Sequence, residues 1–451
     1  MKEQAPLVLV ANTRLPAERA QALQVSHAAA AFARLGVATH LLHARRRREF
    51  SLPAGQDLWS HYGVAAPGGH PRPRLEALPC LDWIESVPPA VQYLPARLQE
   101  LSFARRAARR VLALAREHHD RSGGRAGPLR LLARELEVAR FVAPFARGAH
   151  AVRGASGASG VRGAGSRTAG AAPLDLFLEV HRVPGGRLRR SWLRQAARAA
   201  SGVLAISEGV RADLIDLGLA SENIAVEHDA FEPALIPVTA KRDAARAAAR
   251  EALGLDQEAP VVVYTGGLLA WKGVDIAVAA ARSLPAVTFL IVGGMEQDVV
   301  RLRSQAGALD NLRIEGFQAP ARVPLYLAAA DLGLVPNLAQ PAISARYTSP
   351  LKIFESMAAG LPLLVSDLPS LREILDESEA RFFPAGDADA LVAAITELLG
   401  DAPRRAAMTA AMVAAAPQHT WERRAERILA WMGERAASPL ALNHQPGGEA
   451  R

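Results

Sequence analysis

The chain has 451 residues, of which 50% are hydrophobic and 22% charged, so it has the balance of a globular protein and exceeds the size of one ordinary core. Its single cysteine, Cys80, excludes an internal disulfide and a cysteine-clustered metal site, and it favours a reducing, cytoplasmic setting. The formal net charge of +8 favours an anionic partner, such as nucleic acid, lipid headgroups or a phosphorylated small molecule. No stretch reaches the ~18 apolar residues that a membrane-spanning helix needs.

The chain begins with a strand–helix–strand pattern. Residues 5–13 predict a buried strand, residues 18–36 a helix that Gly36 ends, and residues 37–44 a second strand. This order predicts a parallel sheet. Residues 146–172 are low in complexity and rich in Gly, Ala and Ser, and we interpret them as a flexible surface insertion without a core of its own.

The same alternation resumes after the insertion and restarts beyond an Ala/Arg-rich helical segment at 232–258, which we interpret as the interdomain connection. The fold class is therefore α/β, with two Rossmann-like, doubly wound domains at 1–232 and 233–418. We expect the helix predicted at 419–436 to pack back on the first domain. Ligands of such sheets bind at the carboxyl ends of the strands, so the cleft between the domains is the expected site.

Lysine is rare in this chain. Of 53 basic residues, only four are lysines: Lys2, Lys241, Lys272 and Lys352. Because Lys is a compact charge with rotatable donors and Arg a rigid planar fork, a Lys retained in an Arg-rich chain is informative. Lys2 and Lys241 lie in a predicted tail and linker, whereas Lys272 and Lys352 lie at a glycine turn and a helix start.

The stretch "YTGGLLAWKG" (264–273) runs from a strand through Gly266 and Gly267 to Lys272, ahead of a helix. Glycines in such a turn let backbone N–H groups approach a ligand, and the helix start favours a phosphate. The pattern is neither G-x-G-x-x-G nor a Walker A motif. The alternative interpretation is a tight turn with a surface lysine.

The stretch "ARYTSPLKIFESMAAGLPLLVSD" (345–367) predicts a helix with Ser349 as its N-cap and Pro350 at its first position. Its free N–H groups form an anion site by geometry. Lys352 and Glu355 share one narrow polar side of an otherwise apolar helix. A glutamate there suits hydrogen bonding to a hydroxyl pair such as a ribose diol. The alternative is a surface salt bridge of ~0.3–0.5 kcal/mol.

Six segments together resemble the nucleotide-sugar glycosyltransferases of family 4 (group 1 type), which have the GT-B fold. They are "VVVYTGGLLAWKGVD", "FLIVGG", "IEGF", "AAADLGLVPN", "TSPLKIFESMAAGLPLLVSDLPSLREIL" and "HTWERRAERIL". The resemblance covers residues 200–435 well and is thinner before them, where "LEVH" has the look of the family. It implies retaining transfer of a sugar from a nucleotide-diphosphate sugar to a glycan, lipid-linked or small-molecule acceptor in polysaccharide biosynthesis, with the donor held by the second domain and the acceptor by the first.

The resemblance also implies roles for individual residues. Glu355 would bind the ribose, Lys272 the diphosphate, and His181 would lie near the transferred sugar, so His181 and Lys272 are the candidate catalytic residues. Phe317 would contact the base. The alternatives are a structural histidine and a core phenylalanine. The predicted donor-binding residues are Gly266, Gly267, Phe317, Thr348, Ser349, Pro350, Leu351, Lys352 and Glu355.

No metal or cofactor is expected. The one D-x-D spacing considered, "DADA" at 387–390, reads as a helix start, and the Lys272 and Lys352 side chains with the helix start at Ser349 could offset the diphosphate charge. Two positions depart from the family. Tyr347 replaces a second glutamate that often touches the donor sugar, so we predict that it sets sugar specificity. Gly267 stands where the family often has an arginine, which removes one positive group.

Three alternatives remain open from the sequence. One is a nucleotide-sugar epimerase on the same scaffold, for which no convincing set of acid/base carboxylates is present. Another is a non-catalytic partner subunit that binds a nucleotide sugar. The third is nucleic-acid binding, against which stand 5% aromatic residues and no recognisable module. The arginine clusters at 45–48 and 105–110 could instead dock a cytoplasmic protein on the inner face of an anionic membrane.

Overall fold

A computed structural model describes residues 5–47, 52, 55–64, 71–125, 127–146, 173–237 and 242–437. The predicted Gly/Ala/Ser-rich insertion lies outside these residues apart from Ala146, as do Lys2, Lys241 and Arg48. In the part of the chain that is described, no helix is both long and apolar enough to cross a bilayer.

The first sheet has seven parallel strands in the order β3-β2-β1-β4-β5-β6-β7. Every residue of β1 and β5 is buried, because helices cover both faces of the sheet. The sequence of β1 is accordingly apolar throughout, whereas β5 also carries the buried Asp175 and Glu179. The strands are β1 Leu7–Ala11, β2 Thr39–Arg45, β3 Arg74–Pro79, β4 Leu129–Ala133, β5 Leu174–Val180, β6 Gly202–Ala205 and β7 Ile224–Val226.

Two helical layers flank this sheet. The helices of the N-terminal half are α1 Ala20–Arg34, α2 Leu58–His61, α3 Tyr93–Arg121, α4 Leu136–Val142, α5 Arg187–Ala199 and α6 Glu208–Asp216. One layer contains α3, α4 and α5, which pack side by side. The other contains α1, which ends before Gly36 at a φ of 81° as the sequence predicts.

The second sheet has six parallel strands in the order β10-β9-β8-β11-β12-β13. Its strands are β8 Val261–Thr265, β9 Thr288–Val292, β10 Leu312–Gly316, β11 Leu332–Val335, β12 Leu363–Ser366 and β13 Ala380–Phe383. The remaining helices are α7 Arg242–Leu253, α8 Asp275–Ser283, α9 Glu296–Ala306, α10 Val323–Ala329, α11 Ala342–Ala345, α12 Leu351–Ala358, α13 Pro369–Arg372, α14 Ala388–Gly400, α15 Ala402–Ala415 and α16 Trp421–Ala437. The predicted architecture of two doubly wound parallel sheets is confirmed.

The chain passes between the two sheets at two adjacent points. Phe231 donates its N–H to the His419 carbonyl at 3.0 Å, and Trp421 donates to the Phe231 carbonyl at 3.1 Å. Beyond this crossing, α16 packs against α1 and buries Trp421 and Ile428 in the core of the first sheet. The last helix therefore ties the end of the chain to its beginning.

Helix α7, within the segment predicted to be an interdomain connection, belongs to the second domain and packs on α10. Its Arg250 is fully buried, and the guanidinium donates to the carbonyls of Ala329 and Ala259 and pairs with Asp331 at 2.7 Å. A buried charge with this many partners fixes the helix against the sheet.

Two capping predictions are wrong. Helix α12 begins at Leu351 after Pro350 without a side-chain cap, because the Ser349 hydroxyl accepts the Asp229 N–H at 2.8 Å instead. The capping box predicted for Ser370 and Glu373 is absent, since both side chains bond to distant backbone groups. The "DADA" sequence does start a helix, with the Asp387 carboxylate accepting the Ala390 N–H.

Candidate active site

The glycine turn after β8 is shaped by close backbone packing. Gly266 has a φ of 128°, and its N–H donates to the Val292 carbonyl at 2.9 Å. Gly273, just after Lys272, has a φ of 67°, and a Cβ there would lie 1.9 Å from the Pro336 carbonyl oxygen. Only glycine fits these two positions. The turn is therefore fixed by its surroundings, which holds the backbone around Lys272 in place.

Lys352 lies directly beside this turn. Its side chain is buried, and a Cβ at Gly266 would lie 3.3 Å from its Nζ. The Nζ stands 3.5 Å from the centre of the Tyr264 ring, while the Tyr264 hydroxyl donates to the Gly267 carbonyl at 2.6 Å. Among the described residues the Nζ has no hydrogen-bond partner. A buried amine without a partner is energetically costly, so this one is suited to an anion that enters the site.

Lys272 contributes a second amine to the same place. It ends a short 3-10 helix, Ala270–Lys272, and its Nζ lies 4.1 Å from the centre of the Trp271 ring. Burial lowers the pKa of Lys272 to about 8. Burial and the charge of Lys272 together hold the pKa of Lys352 well below its usual range. Two amines with depressed pKa values beside a glycine turn form a site that favours a multiply charged anion.

Glu355 stands one turn further along α12 and completes the cluster. Burial raises its pKa to about 7, and the neighbouring Lys352 charge opposes that rise. Among the described residues, Glu355 forms no ion pair with Lys272 or Lys352, since neither amine lies within 4.0 Å of its carboxylate oxygens. Its carboxylate is therefore available to accept hydrogen bonds from hydroxyl groups of a ligand.

His181 lies at the carboxyl end of β5, where the sequence placed it, in a buried ionic network. Its Nε2 is 2.9 Å from the Glu179 Oε1 and 2.7 Å from the Arg134 Nη2. Burial and Arg134 lower the pKa of the histidine. Although burial alone would raise it, the charges of Arg134 and Arg424 hold the pKa of Glu179 well below its usual range. His181 is thus oriented by charged neighbours.

Asp229 joins the first domain to the start of α12. Its backbone N–H bonds to the Ser349 hydroxyl, and its carboxylate accepts a hydrogen bond from Gln24 on α1. Burial raises the pKa of Asp229 to about 6. Arg134 also donates to the Gln24 amide oxygen at 3.2 Å. A continuous polar network therefore runs from His181 to the loop before α12.

Tyr347 contacts the first domain. Its hydroxyl bonds to Asp213 on α6, and the neighbouring Arg346 pairs with the same carboxylate at 2.7 Å. Glu373 caps the start of α6 by accepting the N–H groups of Glu208 and Gly209 at 2.7 and 3.3 Å. These contacts make the loop before α12 part of the junction between the domains. Tyr347 therefore has a structural role at this junction, and its effect on sugar specificity stays a prediction.

The other predicted donor residues fall around the same cluster. Thr348, Ser349 and Pro350 are buried in the loop that leads into α12. Phe317 follows β10 and is 39% exposed, so it is not a core residue. Gly267 faces open space, because a Cβ there would meet no atom within 4 Å.

Several neighbours of these side chains were not predicted from the sequence. The Tyr264 ring lies beside the Lys352 amine. The only hint of this in the sequence was a tyrosine near the end of an otherwise apolar strand. Arg134 and Glu179 lie at or near the carboxyl ends of β4 and β5, which is where ligands of parallel sheets bind. Asp229 and Gln24 carried no local signal, since only the packing of the domains brings them together.

A family model for group 1 glycosyl transferases matches residues 259–401, the segment that contains the glycine turn, both lysines and Glu355. These residues are thus similar to the group 1 glycosyl transferases. The resemblance seen in the motifs is therefore confirmed for this part of the chain.

Two curated relatives illustrate the match. The D-inositol 3-phosphate glycosyltransferase of Segniliparus rotundus is 30% identical over 196 residues, which are 41% of this chain and 42% of that protein. The phosphatidyl-myo-inositol mannosyltransferase of Mycobacterium leprae is 32% identical over 145 residues, which are 32% of this chain and 37% of that protein. The chain thus spans less than half the length of the curated relatives it matches.

Solved structures resemble the chain over nearly its whole length. Anabaena HepE in complex with UDP has a TM-score of 0.63 at 16% identity, covering 95% of this chain and 100% of that one. Sucrose-phosphate synthase from Thermosynechococcus elongatus has a TM-score of 0.64 at 17% identity, covering 96% and 100%. At such identities the likeness shows the fold, and the predicted GT-B fold is confirmed.

Replacing Lys352 by methionine tests whether its buried amine is destabilising in the free protein. Methionine has a similar length and no polar atom, so Lys352→Met should leave the free energy of unfolding unchanged or raise it by about 1 kcal/mol. Arg322→Met, at an exposed position of the second domain, serves as the control and should change it by less than ~0.5 kcal/mol. Urea denaturation measures both. A loss of several kcal/mol in Lys352→Met alone would show that the amine stabilises the free fold.

Proposed function

We propose that this protein is a glycosyltransferase that moves a sugar from a nucleotide-diphosphate sugar to an acceptor bound in the cleft. The observation that carries the proposal is the buried Lys352 amine, which lacks a hydrogen-bond partner in the described chain and faces the turn at Gly266. An anion of at least two charges satisfies this amine together with Lys272. A diphosphate between a glycine turn and the start of α12 meets that requirement.

The chemistry assigned to these residues is stabilisation of the leaving group. As the bond between the sugar and the diphosphate breaks, negative charge grows on the diphosphate oxygens. The Lys272 and Lys352 ammonium groups and the N–H groups at the start of α12 lower the energy of that charge without a metal ion. The Glu355 carboxylate accepts hydrogen bonds from the ribose hydroxyls and so holds the nucleotide in one orientation. We propose retention of the anomeric configuration on the resemblance of the motifs, and the anomer of the product, read by proton NMR, tests it.

His181 is proposed to contact the transferred sugar. Glu179 and Arg134 orient its ring through Nε2, and burial together with Arg134 lowers its pKa, which favours the neutral form. The other ring nitrogen, Nδ1, takes no part in these two contacts and can make one hydrogen bond, as donor or acceptor according to the tautomer. This suits hydroxyl groups of a sugar better than a second positive charge would. The polar network from His181 to Asp229 and Ser349 would then link the sugar and diphosphate ends of the site.

Donor and acceptor classes are proposals from the relatives. Two of the curated relatives act on D-inositol 3-phosphate or phosphatidyl-myo-inositol according to their names, and HepE was solved with UDP and UDP-glucose. We therefore propose a UDP-sugar as donor, and a lipid-linked or polyol acceptor.

Nucleotide binding is the first prediction of this function. A thermal-shift screen of UDP-, GDP- and ADP-sugars should give a higher melting temperature with one nucleotide class. Glu355→Gln and Lys352→Met should weaken that binding about tenfold to a hundredfold, because each removes a hydrogen bond to a charged group. Glu251→Gln, at an exposed glutamate of α7, is the matched control and should bind as the parent does.

Two outcomes would contradict the proposal. A chain that no nucleotide sugar stabilises has no donor site of this kind. A chain that binds the donor but releases no nucleoside diphosphate with any lipid or polyol acceptor extract would be a non-catalytic binding subunit.

A second prediction concerns position 267, where this chain has glycine and the family often has an arginine. The position faces open space and has no positive φ, so an arginine fits without strain. Gly267→Arg should tighten diphosphate binding about tenfold, by one further charge-assisted hydrogen bond. Gly267→Gln is the control of similar length without the charge. Calorimetric titration with UDP measures both, and equal affinities in the two variants would exclude position 267 from the diphosphate site.

A further inference from the structure

Exposed apolar side chains are concentrated on one short segment of the first domain. Of the fourteen large hydrophobic residues that are exposed in the described part of the chain, six lie between residues 81 and 98. They are Leu81, Trp83, Val91, Tyr93, Leu94 and Leu98. Tyr93 and Leu94, in the first turn of α3, are 78% and 65% exposed. Patches of this kind on a globular protein mark contact surfaces.

The first turn of α5 combines exposed arginines with an exposed leucine. Helix α5 (RLRRSWLRQAARA) has five arginines and no acidic residue. Arg187 and Arg190 are exposed, and between them Leu188 is 64% exposed. Such a sequence presents a surface of a single sign of charge.

A shared carboxylate brings the two helix starts together. Glu137 on α4 accepts from Arg97 of α3 at 3.2 Å and from Arg189 of α5 at 2.7 Å, through the same oxygen. The N-terminal parts of α3 and α5 therefore lie on either side of α4 and are joined through this carboxylate. We define the rim surface as the six exposed apolar residues between 81 and 98 together with Arg187, Leu188 and Arg190.

The rim surface lies at the edge of the cleft. Helices α3 and α5 follow the carboxyl ends of β3 and β5, and His181 is at the end of β5, so both helix starts face the edge where the acceptor is proposed to bind. Two acidic side chains of this region form ion pairs, Asp82 with Arg46 and Glu100 with Arg97. The exposed arginines of α5 are left to face a partner.

We infer that the rim surface docks on the headgroup region of an anionic lipid bilayer. Tyrosine and tryptophan are enriched where a protein meets the membrane–water interface, because one part of each ring is apolar and the other polar. Arginines beside them attract anionic headgroups. A second copy of the chain is disfavoured as the occupant, since the same cluster of arginines would face itself. In the proposed function, this contact would present a lipid-linked acceptor at the mouth of the cleft.

Vesicle co-sedimentation tests the inference without any donor or acceptor. The protein should bind vesicles of equal parts phosphatidylcholine and phosphatidylglycerol at low salt, and should not bind phosphatidylcholine alone. Arg187→Gln/Arg190→Gln should weaken binding about thirtyfold. Tyr93→Ser/Leu94→Ser should weaken it about tenfold or more. Val300→Ser/Arg322→Gln, at exposed positions of the second domain, is the matched control and should bind as the parent does.

Three results of the vesicle experiment would overturn the inference. They are equal binding to both kinds of vesicle, binding to neither, and a control pair that loses as much affinity as the rim pairs. A dimer in light scattering that Tyr93→Ser/Leu94→Ser dissociates would assign the surface to a second copy and would also overturn it. Nucleotide thermal shifts of the same variants in solution should equal those of the parent, so a failure of membrane docking is distinguishable from a failure of the donor site.

Discussion

The lysine amine held between a tyrosine ring and a glycine turn is the constraint on which the candidate site depends. The Lys352 Nζ is buried 3.5 Å from the centre of the Tyr264 ring, with no hydrogen-bond partner among the described residues. Two features place it there: α12 packs against β11, the neighbour of β8 in the sheet, and only glycine at position 266 leaves the amine room. A free protein that holds an unsatisfied amine forgoes stability, and this is typical of sites whose ligand completes them.

The junction between the domains serves the same region. The loop that leads into α12 bonds to the first domain through Ser349 and Tyr347, and Glu373 caps α6 from across the junction. Movement of one domain against the other would therefore shift the start of α12 relative to His181. Several hydrogen bonds, rather than a single hinge residue, therefore join the proposed diphosphate site to the proposed acceptor side.

Long apolar runs made the fold predictable from the sequence. Site residues that only tertiary contacts bring together could not be predicted in this way. Strands such as β1 and β8 carry uninterrupted hydrophobic sequences, whereas the edge strand β3 mixes charged and apolar residues and was not predicted. Lys352 and Glu355 were identified because helical spacing puts them on one side of α12. Tyr264 and Asp229 were missed because their role depends on elements far apart in the sequence. The capping box at Ser370 failed for the same reason, since distant backbone groups take both side chains.

The most direct test of the central claim is the number of protons that the protein takes up when it binds UDP. Titration calorimetry at about pH 8, in buffers of different ionisation enthalpy, measures it at a pH where Glu355, with a pKa of about 7, is already ionised. The bound diphosphate should restore the protons of Lys352 and Lys272, so net uptake is expected in the parent and less in Lys352→Met. Binding without proton uptake, or with equal uptake in both proteins, would contradict the assignment of the buried amine to the diphosphate.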